Sequence, residues 1–396
     1  MKESRDVAIV GGCGRVGLPL GLAFASRGMT VHLCDINHSL VERVNSGEMP
    51  FDEPGAQDLL SELLGKAIDA TTEPSVITEA ENVVVVIGTP VDEHLNPDPG
   101  AVVRTVEDLC DYLVDGQLLV LRSTVYPGVT ALVEKVLKGR GLNVPVAFCP
   151  ERIQQGRALT ELFQLPQIVS GRTEDAMSRG EKLFGALTAE IVRLQPEEAE
   201  LAKLFTNVWR YIQFATANQL FMISNEYGLD YERIRSALAR DYPRATGLPS
   251  AGFAAGPCLF KDTMQLAAFN NNNFTLGLAS MTINEGLPLY LVARLEDRFD
   301  LRKMCVGILG MAFKAESDDT RSSLSYKLKR ILRFKAAEVL CADPLVTTDP
   351  ELLPVEEVVS RSDLLIIGAP HGIFSAIDTE KPIVDIWNLF GRGVLT

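Results

Sequence analysis

Residues 7–35 leave this chain little choice of fold. Val7-Ala8-Ile9-Val10 is a short apolar run, the pattern of a strand buried on both faces. It feeds Gly12-Cys13-Gly14-Arg15-Val16-Gly17, and a helical pattern follows from Leu18 to about Ser26. Thr30-Val31-His32-Leu33-Cys34 then reads as a second strand that ends at Asp35. Strand, glycines, helix, strand and acid in this register form a dinucleotide cradle. Gly12 is expected to make the tight turn, Gly14 to let the backbone approach a pyrophosphate, and Gly17 to let helix meet strand. Arg15 and Val16 lie inside the same loop, whose helix N-terminus offers N–H donors to phosphate oxygens. Asp35, 18 residues after Gly17, is placed to accept from a ribose 2′-OH. Its charge repels a 2′-phosphate, so NAD is the expected cofactor rather than NADP.

Three further strands deliver polar residues to one sheet edge. Asn82–Ile87 is followed by Gly88-Thr89-Pro90, Leu118–Leu121 by Arg122-Ser123-Thr124, and Val144–Phe148 by Cys149-Pro150-Glu151-Arg152. Ligands of open α/β sheets bind at the carboxyl ends of the strands. Taken singly, Thr89, Ser123, Thr124 and Glu151 each read more readily as a polar loop residue than as a site residue. Their shared edge makes them candidates for a site.

From Glu197 to Tyr227 there is neither Gly nor Pro. As one helix this run spans ~46 Å, a length suited to bridging domains or to a dimer seam. Lys203 and Asn207, spaced i, i+4, share one of its faces, although a Lys there also reads as a snorkelling side chain. Helical stretches follow at Thr263–Phe269 and at about Leu278–Leu295, the second expected to be interrupted by Gly286 and Pro288. From Lys303 the α/β rhythm returns, with strands expected near residues 304–309, within 336–342 after the end of a helix, and near 363–367 and 382–385. Its first turn, Gly307-Ile308-Leu309-Gly310, lacks the GxGxxG spacing, so no dinucleotide is expected there. The predicted fold class is α/β: two Rossmann-like doubly wound domains joined by a long-helix central domain. The expected boundaries are 1–196, 197–300 and 301–396.

One thiol stands apart. Ala251-Gly252-Phe253-Ala254-Ala255-Gly256-Pro257 brings small residues and a fixed turn directly before Cys258, and Lys261-Asp262 follow it. Small residues admit a close ligand or backbone, and a nearby cation favours the reactive thiolate. Cys258 is read as a nucleophile, against the alternative of an inert thiol beside a tight turn.

Composition narrows the classes. Lys and Arg number 38 against 52 Asp and Glu, a net charge of −14. This argues against nucleic acid or an anionic membrane as a general partner. The seven cysteines (Cys13, Cys34, Cys110, Cys149, Cys258, Cys305 and Cys341) form no CxxC pair. Neither a metal site nor a disulfide framework is indicated, and a reducing, cytoplasmic setting is expected. The charged start, Met1–Asp6, reads as no signal peptide, and no apolar run is long enough to span a membrane.

The motifs taken together carry a family resemblance over essentially the whole length. They are Val10-Gly11-Gly12-Cys13-Gly14-Arg15-Val16-Gly17-Leu18-Pro19, Gly88-Thr89-Pro90, Ser123-Thr124-Val125 with Pro127-Gly128, and Cys149-Pro150-Glu151-Arg152. Ala199-Glu200 through Lys203 and Asn207, Gly256-Pro257-Cys258 with Lys261-Asp262, and Ala312-Phe313-Lys314 with Asp318-Asp319-Thr320-Arg321 complete the set. The chain resembles the UDP-glucose/GDP-mannose dehydrogenases, or nucleotide-sugar 6-dehydrogenases. The resemblance implies an NAD-dependent four-electron oxidation of a sugar C6 hydroxymethyl to the uronic acid, through a thiohemiacetal and a thioester on Cys258. It implies that Lys203 stabilises oxyanion charge beside Asn207, that Glu151 activates water for thioester hydrolysis, and that Thr124 and Asp262 position water and the thiol. Thr89, Pro90 and Thr124 join the glycine loop as cofactor residues. Glu151, Arg152, Lys203, Asn207, Gly256, Lys314 and Arg321 are the implied substrate residues, with Arg244 reaching the sugar from the neighbouring subunit of a homodimer. The implied setting is polysaccharide biosynthesis.

Two departures from the family pattern stand out. Gln155 replaces a second glutamate that some members carry four residues after the first. Ala254-Ala255-Gly256 replaces a richer glycine run. Cys149-Pro150-Glu151-Arg152 and Leu165-Pro166-Gln167-Ile168-Val169 look like members acting on UDP-N-acetylhexosamines such as UDP-N-acetylmannosamine. Gly256-Pro257-Cys258-Leu259 looks like UDP-glucose members. A UDP sugar is therefore the expected substrate. Two other classes remain open at this point: a two-electron hydroxyacid-type dehydrogenase, which needs no thiol, and an inactive nucleotide-sugar-binding protein.

Overall fold

The computed structural model describes residues 5–89, 98 and 100–391. It divides into two compact units, residues 1–206 and 207–396.

The first unit is built on strands β1 (Arg5–Val10), β2 (Val31–Cys34), β3 (Ile68–Thr71), β4 (Ala80–Val85), β5 (Leu118–Leu121), β6 (Val146–Phe148), β7 (Gln167–Gly171) and β8 (Ile191–Leu194). Helices α1 (Gly17–Ser26), α2 (His38–Asn45), α3 (Ala56–Leu63), α4 (Ala101–Leu109), α5 (Val129–Gly139), α6 (Ala158–Gln164) and α7 (Glu174–Phe184) connect them. The sheet order is β3-β2-β1-β4-β5-β6-β7-β8, with β6–β7 antiparallel and the other pairs parallel. The first six strands thus take the doubly wound order, with its topological switch between β1 and β4. Alternation explains the layers. Ile9 packs with Leu20 and Leu33 on one face of the sheet, while Ala8 packs with Val83 and Leu119 on the other. Strands β3, β7 and β8, of which β3 and β8 are the sheet edges, escaped the sequence reading, because each is short and Asp69 and Arg193 interrupt the apolar pattern of the two edge strands.

Helix α8 (Pro196–Glu226) has 31 residues, and the division between the units falls within it. In the second unit follow α9 (Tyr231–Ala239), α10 (Leu259–Phe269) and α11 (Thr275–Glu296). Then come β9 (Cys305–Leu309), α12 (Leu324–Leu332), β10 (Glu338–Ala342), α13 (Val355–Arg361), β11 (Leu364–Ile367) and β12 (Ile383–Val384), with sheet order β10-β9-β11-β12, all parallel. Contrary to expectation, α11 runs unbroken through Gly286 and Pro288. Its buried residues Gly277, Ser280, Asn284, Leu287, Leu291 and Leu295 recur at helical spacing. Packing of that stripe outweighs local propensity.

Carboxylates close the turns of both units. In the first, Glu200, fully buried on α8, accepts from the N–H groups of Gly128 (2.6 Å) and Thr130 (2.8 Å) and from the Thr130 hydroxyl (2.6 Å) at the start of α5. Burial raises its pKa, and these three donors oppose the rise. Glu53 does the same for α6, accepting from Gly156 (2.8 Å) and Ala158 (2.7 Å). In the second unit Asp343, at the end of β10, accepts from Met311 N–H (2.7 Å), Ala312 N–H (2.9 Å) and Leu345 N–H (3.0 Å). His371 accepts from Glu316 N–H at Nδ1 (3.0 Å), so its Nε2–H donates to Asp343 at 3.1 Å.

Burial pushes the Asp343 carboxyl up, but His371 and the backbone donors pull it further down, to a net value below the usual carboxylate range. A carboxylate with a lowered folded pKa stabilises the fold above its unfolded pKa and loses that contribution as pH falls through the folded one. Asp343→Asn is therefore predicted to cost about 2 kcal/mol near neutrality. The gap to wild type should narrow below about pH 4. Calorimetric melting of both proteins across that range checks it; a gap independent of pH would contradict the assignment.

Candidate active site

The cradle of the first unit forms at the turn after β1. Gly11, with φ +79°, is the left-handed residue, and a Cβ there would sit 2.0 Å from the Val86 carbonyl oxygen. The tight turn thus belongs to Gly11 and not to Gly12. Gly12 is needed for a different reason: a Cβ there would meet Ile9 O at 2.7 Å and Leu33 Cα at 2.8 Å. Gly17 packs on the turn itself, where a Cβ would lie 2.3 Å from Gly11 O. Gly14 differs from these three. Its Cβ would meet only Gly11 O, at an ordinary 3.5 Å, so the protein's own packing does not require glycine there. Glycine there leaves the backbone open to a close approach from outside. Asp35 holds the loop, accepting from Cys13 N–H and Asn37 N–H, each at 3.0 Å. Arg15 lies with its guanidinium 5.0 Å from the Phe51 ring centre. Val16 is the N-cap of α1. Ile36, beside Asp35, is 95% exposed, an apolar side chain that a flat ring would cover. Sequence reading passed over both Gly11 and Ile36. The first was hidden by its more regular neighbours, and the second has no signature without the turn.

Around the same edge, Thr89 and Ser123 are buried and Thr124 is half-buried. Ser123 accepts from Ile87 N–H at 2.7 Å. Pro90 lies outside the described residues. Glu151 is buried and is engaged by Arg122, which is 1% exposed. Arg152 donates to the carbonyl of Pro166, and burial holds its guanidinium below its ordinary value. Lys203 is half-buried on α8.

In the second unit the loop before Cys258 is fixed by buried amides. Asn218 on α8 donates to Gly252 O (3.0 Å) and to Asn284 Oδ1 (2.9 Å), and it accepts from Gly252 N–H (2.9 Å). Asn284 donates to Tyr211 O at 3.1 Å. These residues sit inside helix patterns that gave no sign of the role. Gly252 lies against Trp387, and Gly256 (φ +101°) lies against Phe313, where a Cβ would stand 2.6 Å from the ring. Gly256 N–H also donates to Ser322 O at 3.3 Å. The expected helix at Thr263 starts earlier, at Leu259, with Cys258 as its N-cap residue. The thiol therefore stands at a helix N-terminus, where the dipole favours the thiolate. Asp262 is fully buried. It accepts from Asn207 Nδ2, pairs with Lys261 Nζ at 2.8 Å, and returns its N–H to Cys258 O at 2.9 Å. So Asn207, Cys258, Lys261 and Asp262 form one cluster. Arg321 pairs bidentately with buried Asp319 (2.7 and 3.0 Å). Asp319 raises its pKa most, and charge on Cys258 adds to the rise. Lys314 is half-buried in the same loop as Phe313. Arg244 is exposed, its guanidinium 4.9 Å from the Tyr242 ring centre, and no described contact joins it to the other candidates.

The sheet order, the glycine cradle and the acid that ties it define a protein of doubly wound, dinucleotide-binding fold. Comparison with known proteins fixes the family. Residues 5–188 match the NAD-binding domain of the UDP-glucose/GDP-mannose dehydrogenase family, 197–285 its central domain, and 307–392 its UDP-binding domain. The chain is 30% identical to a UDP-N-acetyl-D-mannosamine dehydrogenase of Pyrococcus horikoshii, over 93% of this chain and 90% of that protein. It is 28% identical to a UDP-glucose 6-dehydrogenase of Haloferax volcanii, over 95% and 93% respectively. A solved UDP-glucose dehydrogenase from Pyrobaculum islandicum aligns with TM-score 0.88 at 27% identity, covering 97% of this chain and 94% of the other. The chain belongs to the UDP-glucose/GDP-mannose dehydrogenase family and is an NAD-dependent oxidoreductase. No described helix is long and apolar enough to cross a membrane.

Cys258 is exposed, whereas Cys13, Cys34, Cys110, Cys149 and Cys341 are buried and Cys305 is half-buried. Burial raises the pKa of each of these six, to about 12 for Cys13 and Cys149. Brief treatment of the native protein with iodoacetamide is predicted to label Cys258 first. Peptide mass mapping reads the order, and earlier labelling of Cys305 would contradict it.

Proposed function

We propose that the protein oxidises the C6 hydroxymethyl group of a UDP sugar, a UDP-N-acetylhexosamine or UDP-glucose, to the uronic acid. The observation that carries this reading is Cys258 exposed at the N-terminus of α10, in a cluster with Asn207, Lys261 and Asp262. A two-electron alcohol oxidation has no use for such a thiol. The substrate class is supported by the UDP-binding family domain over 307–392 and by the names of the relatives.

NAD+ supplies the hydride acceptor, twice per sugar. Gly14 and the N-terminus of α1 would hold its phosphates, Asp35 its ribose and Ile36 its adenine, with Thr89 and Thr124 at the neighbouring strand ends. The first hydride leaves C6 and one proton leaves its hydroxyl as the aldehyde forms. The Cys258 thiolate then adds to that carbon, and the new alkoxide takes a proton to give a thiohemiacetal. Loss of a second hydride and a proton leaves a thioester. Water next displaces the sulfur and gives the carboxylate. Lys203 and Asn207 are assigned to the oxygen that carries charge in these steps, since fixed donors in a dry site act strongly on developing charge. Asp262 holds Asn207 and Lys261 in place. The resemblance gives the hydrolytic water to Glu151. Gly256, Arg152, Lys314 and Arg321 are assigned to the UDP sugar.

A homodimer is also proposed. Trp209, Leu220 and Ile223 on α8, with Tyr227 just beyond it, lie on one helical face and are exposed, Trp209 by 61% and Tyr227 by 78%. A partner would cover that stripe and bring its own Arg244 to the sugar. Thiol use fits a cytoplasmic setting and a role in making acidic sugars for polysaccharides.

Cys258→Ser is predicted to lower acid formation by at least about a thousandfold, because the thiolate path is lost while the cofactor site stays intact. NAD+ affinity should be unchanged. Chromatographic quantitation of the uronic acid checks this, and acid made at the wild-type rate would contradict the covalent path.

A further inference from the structure

Residues 310–323, between β9 and α12, carry Lys314 and Arg321 and form neither helix nor strand. The buried N–H groups of such a loop need acceptors one by one. At its start, Asp343 accepts from Met311 and Ala312 N–H. Towards its end, the Asp319 side chain accepts from Arg321 N–H (3.0 Å), the Asp319 carbonyl accepts from Phe313 N–H (2.9 Å), and the Ser323 hydroxyl donates to Ala312 O (3.2 Å). The middle is tied to one ring. His371, 1% exposed and placed just beyond β11, accepts from Glu316 N–H at 3.0 Å through Nδ1. Glu316 returns the contact, its carboxylate accepting from Gly372 N–H at 2.6 Å. Glu316 also takes a left-handed backbone (φ +48°), which a residue other than glycine keeps only where its surroundings hold it.

A backbone N–H can only donate, so Nδ1 is the bare nitrogen and the ring proton sits on Nε2, which donates to Asp343. The two nitrogens thus do separate things. Nε2 joins the end of β10, and Nδ1 joins the middle of the loop. We propose that His371 is a positioning residue for the substrate: its bare Nδ1 holds the loop 312–321 in the shape in which Lys314 and Arg321 receive the UDP group. This rests on the nucleotide-sugar reading given above and adds a residue, outside those assigned to the sugar nucleotide, that sets its affinity. A loop without this tie is ordered only when UDP arrives, and that ordering weakens binding. The NAD+ cradle is built from other residues, in the first unit.

Two amides separate the roles of the two nitrogens. An Asn side chain places its oxygen where Nδ1 stands, and a Gln side chain brings its NH2 to the place of Nε2. His371→Asn therefore keeps the acceptor for Glu316 and loses the donor to Asp343, and His371→Gln does the reverse. Isothermal titration of the full-length protein with UDP should show affinity about tenfold lower in His371→Gln and within about threefold of wild type in His371→Asn. Calorimetric melting should rank them the other way, with His371→Asn the less stable. NAD+ affinity should be unchanged in both. KM for UDP-glucose or UDP-N-acetylmannosamine should rise in His371→Gln while kcat stays near wild type. A role in packing alone makes affinity follow stability, so one ranking in both measurements would overturn the proposal. Should His371→Gln fail to fold, Glu316→Ala loosens the same tie from the exposed side. Its UDP affinity should fall about threefold or more, and wild-type affinity would overturn the proposal. Wild type run alongside separates the two levels. If it binds no UDP, the substrate reading fails and the proposal with it; if it binds UDP and His371→Gln binds as tightly, only the role of His371 fails.

Discussion

Turns at strand ends and helix starts present backbone N–H groups that neither the strand ladder nor the helix satisfies. Such groups need acceptors when they are buried. Acids supply them at five places: half-buried Asp35 under the first glycine turn, and buried Glu53 at α6, Glu200 at α5, Glu151 within its own turn and Asp343 under the turn after β9. The acids come mostly from elements distant in sequence, so each of those also fixes the place of a turn relative to the rest of its unit. The polar edge that makes the site is therefore held by charge-assisted hydrogen bonds rather than by the apolar core alone.

The two units use the same turn differently. Gly11 (φ +79°) and Gly310 (φ +92°) are equivalent turn residues, and each donates its N–H to the end of the neighbouring strand at 2.8 Å. After Gly11 come Gly12, Cys13 and Gly14, and Gly14 leaves room at the backbone. After Gly310 come Met311 and Ala312, both buried, and Asp343 is taken up by two N–H groups and His371. One turn is left open at the backbone and the other is closed by side chains.

Much of this was legible in the sequence, because the informative residues act locally. Val7–Val10, the glycine loop and Asp35 specify a strand–turn–helix unit through periodicity and steric need, and both α/β ends follow from their apolar runs. Long-range roles were not legible. Nothing about Asn218 or Asn284 shows that they hold the Cys258 loop, since each sits in an ordinary helical pattern. Arg122 reads as one residue of a loop until β6 and β7 are placed beside it. The start of α10 was set too late because Leu259 and Phe260 look like loop continuation after Pro257; in the fold they begin the helix and put Cys258 at its N-terminus. Pro288 misled in the opposite direction, because a buried stripe carries α11 past it.

The chemistry then divides by unit. The first holds the cofactor cradle and a clamped carboxylate, and the second holds the thiol and the cluster around Asp262. A thiol in that position has a use only if oxidation passes the aldehyde. The most direct measurement is the endpoint yield of NADH from a limiting amount of UDP-glucose or UDP-N-acetylmannosamine with excess NAD+. A four-electron oxidation through Cys258 predicts about two NADH per sugar consumed. A yield of about one, with the carbonyl compound as the product, would contradict it.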